Sequence, residues 1–111
     1  MNERFVILWN SIAQDALNIS TVHGFGPGGR SDSEFIALVH SELSEALEAM
    51  RHDNPPDKHI PQFSSIEAEL ADVVIRIMGY AKARGWNIPK AIEAKMEYNS
   101  TRSYRHGGKL F

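Results

Sequence analysis

Two pairs of carboxylates recur at the same spacing near the middle of the sequence. Glu42 and Glu45 are three residues apart, and so are Glu69 and Asp72. On a helix this spacing projects both members of a pair from one face. On a helical wheel Glu42 falls inside an apolar arc and Glu45 lies at its rim, an unusual position for charged groups. Both pairs are therefore candidate functional residues.

Two helices packed antiparallel through their apolar stripes would bring these pairs face to face. Four carboxylates at about 5 Å repel by roughly 3 kcal/mol per pair at an effective dielectric of 20. Over several pairs this repulsion rivals the stability of a small domain. The cluster must therefore take up protons, acquire basic partners or bind a multivalent cation. Ligands that are all oxygen favour Mg²⁺, with Mn²⁺ as a substitute, over zinc or copper.

The same pattern has a purely structural interpretation. A single E-x-x-E on a helix usually marks a solvated face, and Arg76, one turn beyond Asp72, is placed to neutralise part of the cluster. The sequence contains no E-x-x-H, which leaves a di-iron bundle unsupported. It contains no Cys, which excludes a zinc-thiolate site, a cysteine nucleophile and a disulfide framework.

A basic strip follows in the last third of the chain. Lys95, Asn99 and Arg102 are spaced i, i+4 and i+7, and His106 and Lys109 flank a pair of glycines. An ammonium, an amide and a forked guanidinium suit phosphate oxygens and the polar edges of a nucleotide. Taken alone, the strip is more simply interpreted as the solvated, cation-rich end of a helix.

Three aromatic residues lie where they would either stack on a base or pack in the interior. They are Phe25 in a Gly-rich loop, Trp9 near the end of the bundle and Tyr80 one turn beyond Arg76. Aromatic rings serve both purposes, so the sequence leaves both open.

The hydrophobic periodicity predicts that these residues are positioned by four amphipathic helices in an all-α, four-helix bundle-like fold. The predicted boundaries are about 3–19, 31–52, 64–83 and 88–102, with an irregular tail at 103–111. Ser31 with Glu34 and Ser64 with Glu67 form capping-box patterns, and Gly85 is placed to end the third helix. The Gly-rich stretch 24–29 is longer than a tight helix connection needs, and this length is typical of a functional loop.

Composition fits one globular domain over residues 1–111, with 42% hydrophobic and 23% charged residues. The longest apolar run, residues 5–9, is too short to span a bilayer, so we expect a soluble cytoplasmic protein without membrane association. A net charge of −2 gives no positive field for a nucleic-acid polymer. The charge is uneven, with ten acidic and two basic residues over 32–72, then eight basic and two acidic over 76–109.

The combined motif resembles the MazG-type all-α nucleoside triphosphate pyrophosphohydrolases, especially the small phage and bacterial members. The resemblance covers about residues 31–109. The residues that carry it are Glu42-x-x-Glu45, a gap of 23 residues, Glu69-Leu70-Ala71-Asp72, Lys95-x-x-x-Asn99-x-x-Arg102 and His106-Gly107-Gly108-Lys109. Many members begin the first motif with two adjacent glutamates, whereas this chain has Ser41 in the leading position.

This resemblance implies that the acidic residues of both pairs hold Mg²⁺. It also implies that a nucleoside triphosphate is cut between its α and β phosphates, that the basic strip contacts the nucleotide, and that the fold is completed as a homodimer or homotetramer. Ser41 leaves the number of metal ions open. Because Glu45 lies at the rim, we expect it to be the catalytic carboxylate that orients or deprotonates the attacking water.

The leading hypothesis is therefore a Mg²⁺-dependent nucleotide pyrophosphohydrolase that acts in nucleotide pool cleansing. The sequence leaves two alternatives to it. One is a related enzyme that hydrolyses phosphoribosyl-ATP. The other is a catalytically silent helical bundle that binds a protein partner, with its acidic cluster paired to Arg76 and Lys95.

Overall fold

The fold is given by a computed structural model that describes residues 3–24 and 30–102. Over these residues the chain is all-helical, as predicted, and contains no β-strand beyond an isolated bridge between Pro56 and Ser64. The helices are α1 (Glu3–Val22), α2 (Asp32–Arg51), α3 (Ser65–Arg84) and α4 (Ile88–Ser100). The predicted end of α1 near residue 19 is three residues short, because nothing before Gly24, with its φ of 79°, breaks the helix.

Side-chain caps fix where the central helices begin. The hydroxyls of Ser31 and Ser64 accept from the backbone N–H groups of Glu34 and Glu67, and both glutamates reach back to the cap residues. Gly85 ends α3 in the left-handed conformation, at φ 75°. These reciprocal bonds satisfy N–H groups that a helix start otherwise leaves without partners.

Helix α3 is central and packs against both α1 and α2. Asp32 at the start of α2 contacts Arg84 at the end of α3, and Glu42 contacts Arg76 near the middle of both helices. The two helices are therefore antiparallel. The buried residues between the helices combine larger side chains with four alanines that allow close helix approach, Ala13, Ala46, Ala68 and Ala81.

A polar network ties the first turn of α2 to the last turns of α3. The Tyr80 hydroxyl donates to Asp32 at 2.6 Å, Arg84 Nη2 donates to Oδ2 of the same carboxylate at 3.1 Å, and Arg84 Nε lies 3.1 Å from Oδ1 in an ion pair. The Tyr80 ring stacks on Phe35 with 4.1 Å between centroids. Charge-assisted and bidentate contacts of this kind fix the relative position of two helix ends.

Helix α4 packs chiefly against α1 rather than against the acidic faces of α2 and α3. Asn87 caps it by accepting from the backbone N–H of Lys90. Within residues 3–24 and 30–102, no helix combines the length and apolarity needed to cross a membrane.

Candidate metal centre

Helix α2 presents its two predicted carboxylates at different depths. The Glu42 side chain is only 12% exposed, whereas Glu45 is exposed at the rim of the same face. The difference follows from the helical wheel, since three residues turn a helix by less than a full circle. A partly buried carboxylate beside an accessible one gives the face one anchored and one solvent-facing acid.

Helix α3 supplies the other two acids to the same place. Glu42, Glu69 and Asp72 each offer a carboxylate oxygen, and these three oxygens lie within 4.8 Å of one another. We call these three residues the acidic triad. Glu45 lies beside Glu69, close enough to raise the pKa of that carboxyl, but it is outside the triad. Four carboxylates from two antiparallel helices thus converge.

The electrostatics of the triad are unfavourable without a cation. Burial, followed by the neighbouring carboxylates of Glu45 and Glu42, raises the pKa of Glu69 to about 7. Burial and the charge of Glu42 also raise the pKa of Asp72, although Arg76 opposes this shift. The raised pKa values mean that the ionised forms of Glu69 and Asp72 are disfavoured in the folded protein.

One oxygen of the triad is buried without a partner. The Oε2 atom of Glu69 is inaccessible to solvent and accepts no hydrogen bond from any group in the described residues. An unpaired buried oxygen is rare in folded proteins because it loses its hydration and gains nothing in return. It is the kind of group that a bound cation satisfies.

Arg76 accounts for part of the negative charge. Its Nε donates to Oε1 of Glu42 at 2.8 Å, and its side chain is 39% exposed. This is the ion pair anticipated in the structural interpretation of the sequence. A single guanidinium cannot balance four carboxylates, and its contact with Glu42 leaves the orphaned oxygen of Glu69 unsatisfied.

The donor set therefore fits a hard divalent cation. Every available ligand atom is a carboxylate oxygen, without sulfur or imidazole nitrogen in the triad. Mg²⁺ is commonly held by a few carboxylates while it keeps several waters, and it binds phosphate oxygens with its remaining positions. The triad has the composition and the charge that such an ion requires.

The predicted substrate residues are not brought together with the triad in a single chain. Lys95 on α4 and Arg102 just beyond the end of that helix lie over the ring of Tyr98, at 5.3 and 5.5 Å from its centroid. Asn99 is exposed on the same helix, and α4 packs chiefly on α1. The residue spacing carried no information on which helix α4 packs against, and α4 ends at Ser100 rather than near residue 102, so Arg102 lies beyond the helix.

Three other predicted contacts, Phe25, His106 and Lys109, lie outside the described residues, as do the rest of the tail and most of the Gly-rich loop. Trp9 packs against Phe5, with 5.8 Å between ring centroids. The Tyr80 ring is 5% exposed and stacks on Phe35, and it also lines a cavity, so packing and a role in a pocket are both compatible with its position.

A feature that the motifs do not signal is a cavity of about 540 Å³ beside the triad. Asp72 and Arg76 form part of its wall, and Phe35, Tyr80, His23 and Arg30 line other parts. Such a cavity depends on how three helices come together, which no local spacing encodes. Its size is within the usual range for small-molecule sites.

No known family model matches the sequence, and neither the curated proteins nor the solved structures include a significant match.

Proposed function

We propose that this protein is a Mg²⁺-dependent nucleoside triphosphate pyrophosphohydrolase that acts in nucleotide pool cleansing. The observation that carries the proposal is the buried, unpartnered oxygen of Glu69, which lies where Glu42 and Asp72 contribute further carboxylate oxygens. The residue pattern that resembles MazG-type enzymes supports the choice of substrate and of the bond that is cut.

The proposed roles follow from position. Glu42, Glu69 and Asp72 hold the cation, with Mn²⁺ as a substitute, and Glu45 joins them from the rim. When bound, the cation neutralises charge on the phosphates. A water then attacks the α phosphorus, the bond to the bridging oxygen breaks, and the nucleoside monophosphate and pyrophosphate separate.

Glu45 is the proposed catalytic residue. It is exposed, whereas Glu42 is mostly buried and paired with Arg76, so Glu45 is the carboxylate that a water can approach. It would orient the attacking water and accept its proton. Lys95, Asn99 and Arg102, with Phe25, His106 and Lys109, stay proposed contacts of the nucleotide, and their separation from the triad within one chain is most simply bridged by a second copy.

The test is release of pyrophosphate from a panel of common and damaged ribo- and deoxyribonucleoside triphosphates, with phosphoribosyl-ATP included to separate the related activity. We expect Glu45→Gln to lower kcat by about 10²–10⁴-fold and to weaken Mg²⁺ binding less than Glu69→Gln does, because Glu45 lies at the rim, outside the triad. Glu48→Gln, one turn along the same helix, is the matched control and should keep full turnover. Near-normal turnover by Glu45→Gln would remove its assigned role, and no release from any nucleotide by the unaltered protein would overturn the proposed function.

We also propose that the chain assembles as a homodimer or homotetramer. The outer face of α2 exposes Ile36, Leu43, Leu47 and Met50 in a helical stripe, with exposed fractions between 44% and 62%. Leu70 and Val74 on α3 are similarly exposed. A contiguous apolar face of this kind usually marks an interface.

Light scattering coupled to size exclusion tests the assembly. We expect a mass of two or four chains at micromolar concentration, and we expect Leu47→Glu to shift the population to the monomer because it places a charge in the stripe. Ser44→Glu, an exposed neighbour outside the stripe, is the control. A monomer for the unaltered chain would contradict the proposal.

A further inference from the structure

The cavity beside the triad lies between α1, α2 and α3. Ala16 and Ile19 line it from α1, Phe35 and Leu38 from α2, and Ile75 and Gly79 from α3. Gly79 is where α1 and α3 approach closely: a Cβ built on it would meet the backbone nitrogen of Leu17 at 3.5 Å. A Cβ at this distance would be in ordinary van der Waals contact, so α1 and α3 pack directly against each other beside the cavity.

The cavity and the acidic triad are continuous. Asp72 contributes to the triad and to the cavity lining, and Arg76 lines the cavity while its Nε contacts Glu42. A ligand whose charged end lies at the triad therefore has an adjoining space of about 540 Å³ for its uncharged end. The two sites form the halves of one elongated site.

The lining of the cavity suits a flat, largely apolar group with a polar edge. Its body is aliphatic and aromatic, and the stacked rings of Phe35 and Tyr80 form one part of it. Polar groups are contributed by His23 and Arg30. The Nδ1 of His23 lies 2.9 Å from the carbonyl oxygen of Ile19 and so donates to it. In the neutral ring Nε2 is then an acceptor, while the Arg30 guanidinium supplies donors.

We infer that this cavity binds the base of the nucleotide, an assignment that rests on the proposed function for the position of the phosphates. A nucleobase offers apolar faces to an aliphatic and aromatic wall, and donors and acceptors on its edge to groups such as His23 and Arg30. A cation held by the triad would then bind the triphosphate, and the cavity determines which base is accepted.

Filling the cavity tests this assignment without touching the triad. Ala16→Leu adds bulk from α1, and Ser20→Leu does the same one turn further along, in case the first variant folds poorly. Ser11→Leu adds the same side chain at an exposed position of α1 and is the matched control. Binding of free nucleosides, of inorganic tripolyphosphate and of Mg²⁺ is measured by calorimetry and by amide chemical shifts.

We expect Ala16→Leu and Ser20→Leu to weaken binding of the preferred nucleoside at least tenfold and to raise KM for its triphosphate similarly. Tripolyphosphate and Mg²⁺ affinities should stay within twofold, and Ser11→Leu should behave as the unaltered protein. In the unaltered protein, the nucleoside should shift the amide signals of Ala16 and Gly79.

Several outcomes would overturn the inference. Unchanged nucleoside binding by Ala16→Leu and Ser20→Leu would overturn it. An equal loss of affinity for the nucleoside and for tripolyphosphate would also overturn it. If pyrophosphate is released but nucleosides perturb amides elsewhere, the cavity assignment fails and the proposed function stands. If nucleosides perturb Ala16 and Gly79 but no triphosphate is cleaved, the enzyme assignment fails and the cavity remains a base-binding site.

Discussion

Replacing Glu69 by glutamine is expected to abolish Mg²⁺ binding and to lower pyrophosphate release by about 10³-fold, equivalent to about 4 kcal/mol of lost transition-state stabilisation. The amide keeps one neutral oxygen but loses the charge that holds a hard cation. Isothermal titration with Mg²⁺ and the release assay measure the two effects separately.

The same variant should make the metal-free protein more stable, which is the more discriminating result. The glutamine removes a carboxylate whose pKa is raised by burial and by Glu45 and Glu42. We expect the Tm at pH 8 without metal to rise by about 4–8 °C, the shift that about 1 kcal/mol produces in a domain of this size. If replacing Glu69 stabilises the metal-free protein and abolishes Mg²⁺ binding, then Glu69 is a metal ligand and not a member of a structural ion pair.

Glu48→Gln provides the control for this comparison. Glu48 is exposed on α2, and hydrogen bonds from His52 and Arg51 hold its pKa below its usual value. Its replacement should leave Mg²⁺ affinity unchanged and should not raise the Tm. If Glu69→Gln retained carboxylate-dependent Mg²⁺ binding, or destabilised the metal-free protein, the silent bundle would be the better interpretation.

The parts of the fold that local chemistry determines were predictable. Capping boxes at Ser31 and Ser64 and the left-handed Gly85 set helix boundaries through bonds within three or four residues. The convergence of the carboxylates on α2 and α3 was also predictable in outline, because apolar stripes force the faces that carry Glu42 and Glu69 together.

Other features depend on contacts that sequence spacing does not encode. The contact between Asp32 and Tyr80 joins residues 48 positions apart, and the bidentate contact of Asp32 with Arg84 joins residues 52 apart. The packing of α4 on α1 separates Lys95 from the triad, and Arg102 lies beyond the end of that helix at Ser100. The cavity leaves no motif in the sequence. Small residues such as Ala16 and Gly79 occur both where two helices pack tightly and where the helices leave a space between them.

The pH dependence of stability should reverse when Mg²⁺ is added. Without metal, the raised pKa of about 7 for Glu69 and the raised pKa of Asp72 mean that the folded state holds protons the unfolded chain has released. Their contribution to stability is therefore fully present below the unfolded values near 4 and is lost as the pH rises toward 7. Carboxyl groups with a lowered pKa, such as Asp57 and Glu67, instead lose their contribution to stability as the pH falls, and they do so only at lower pH.

Thermal unfolding between pH 5 and 8, with and without Mg²⁺, measures this reversal. Because the cation binds ionised carboxylates, its stabilisation should be small at pH 5 and should reach about 10 °C at pH 8 when the ion is present at about 100 times its Kd. Glu69→Gln should flatten the metal-free profile and remove the Mg²⁺ effect, whereas Glu48→Gln should preserve both. A Mg²⁺ stabilisation that is equal at both pH values would mean that the ion binds elsewhere, because only protonation of Glu69 and its neighbours makes the triad weaker in acid.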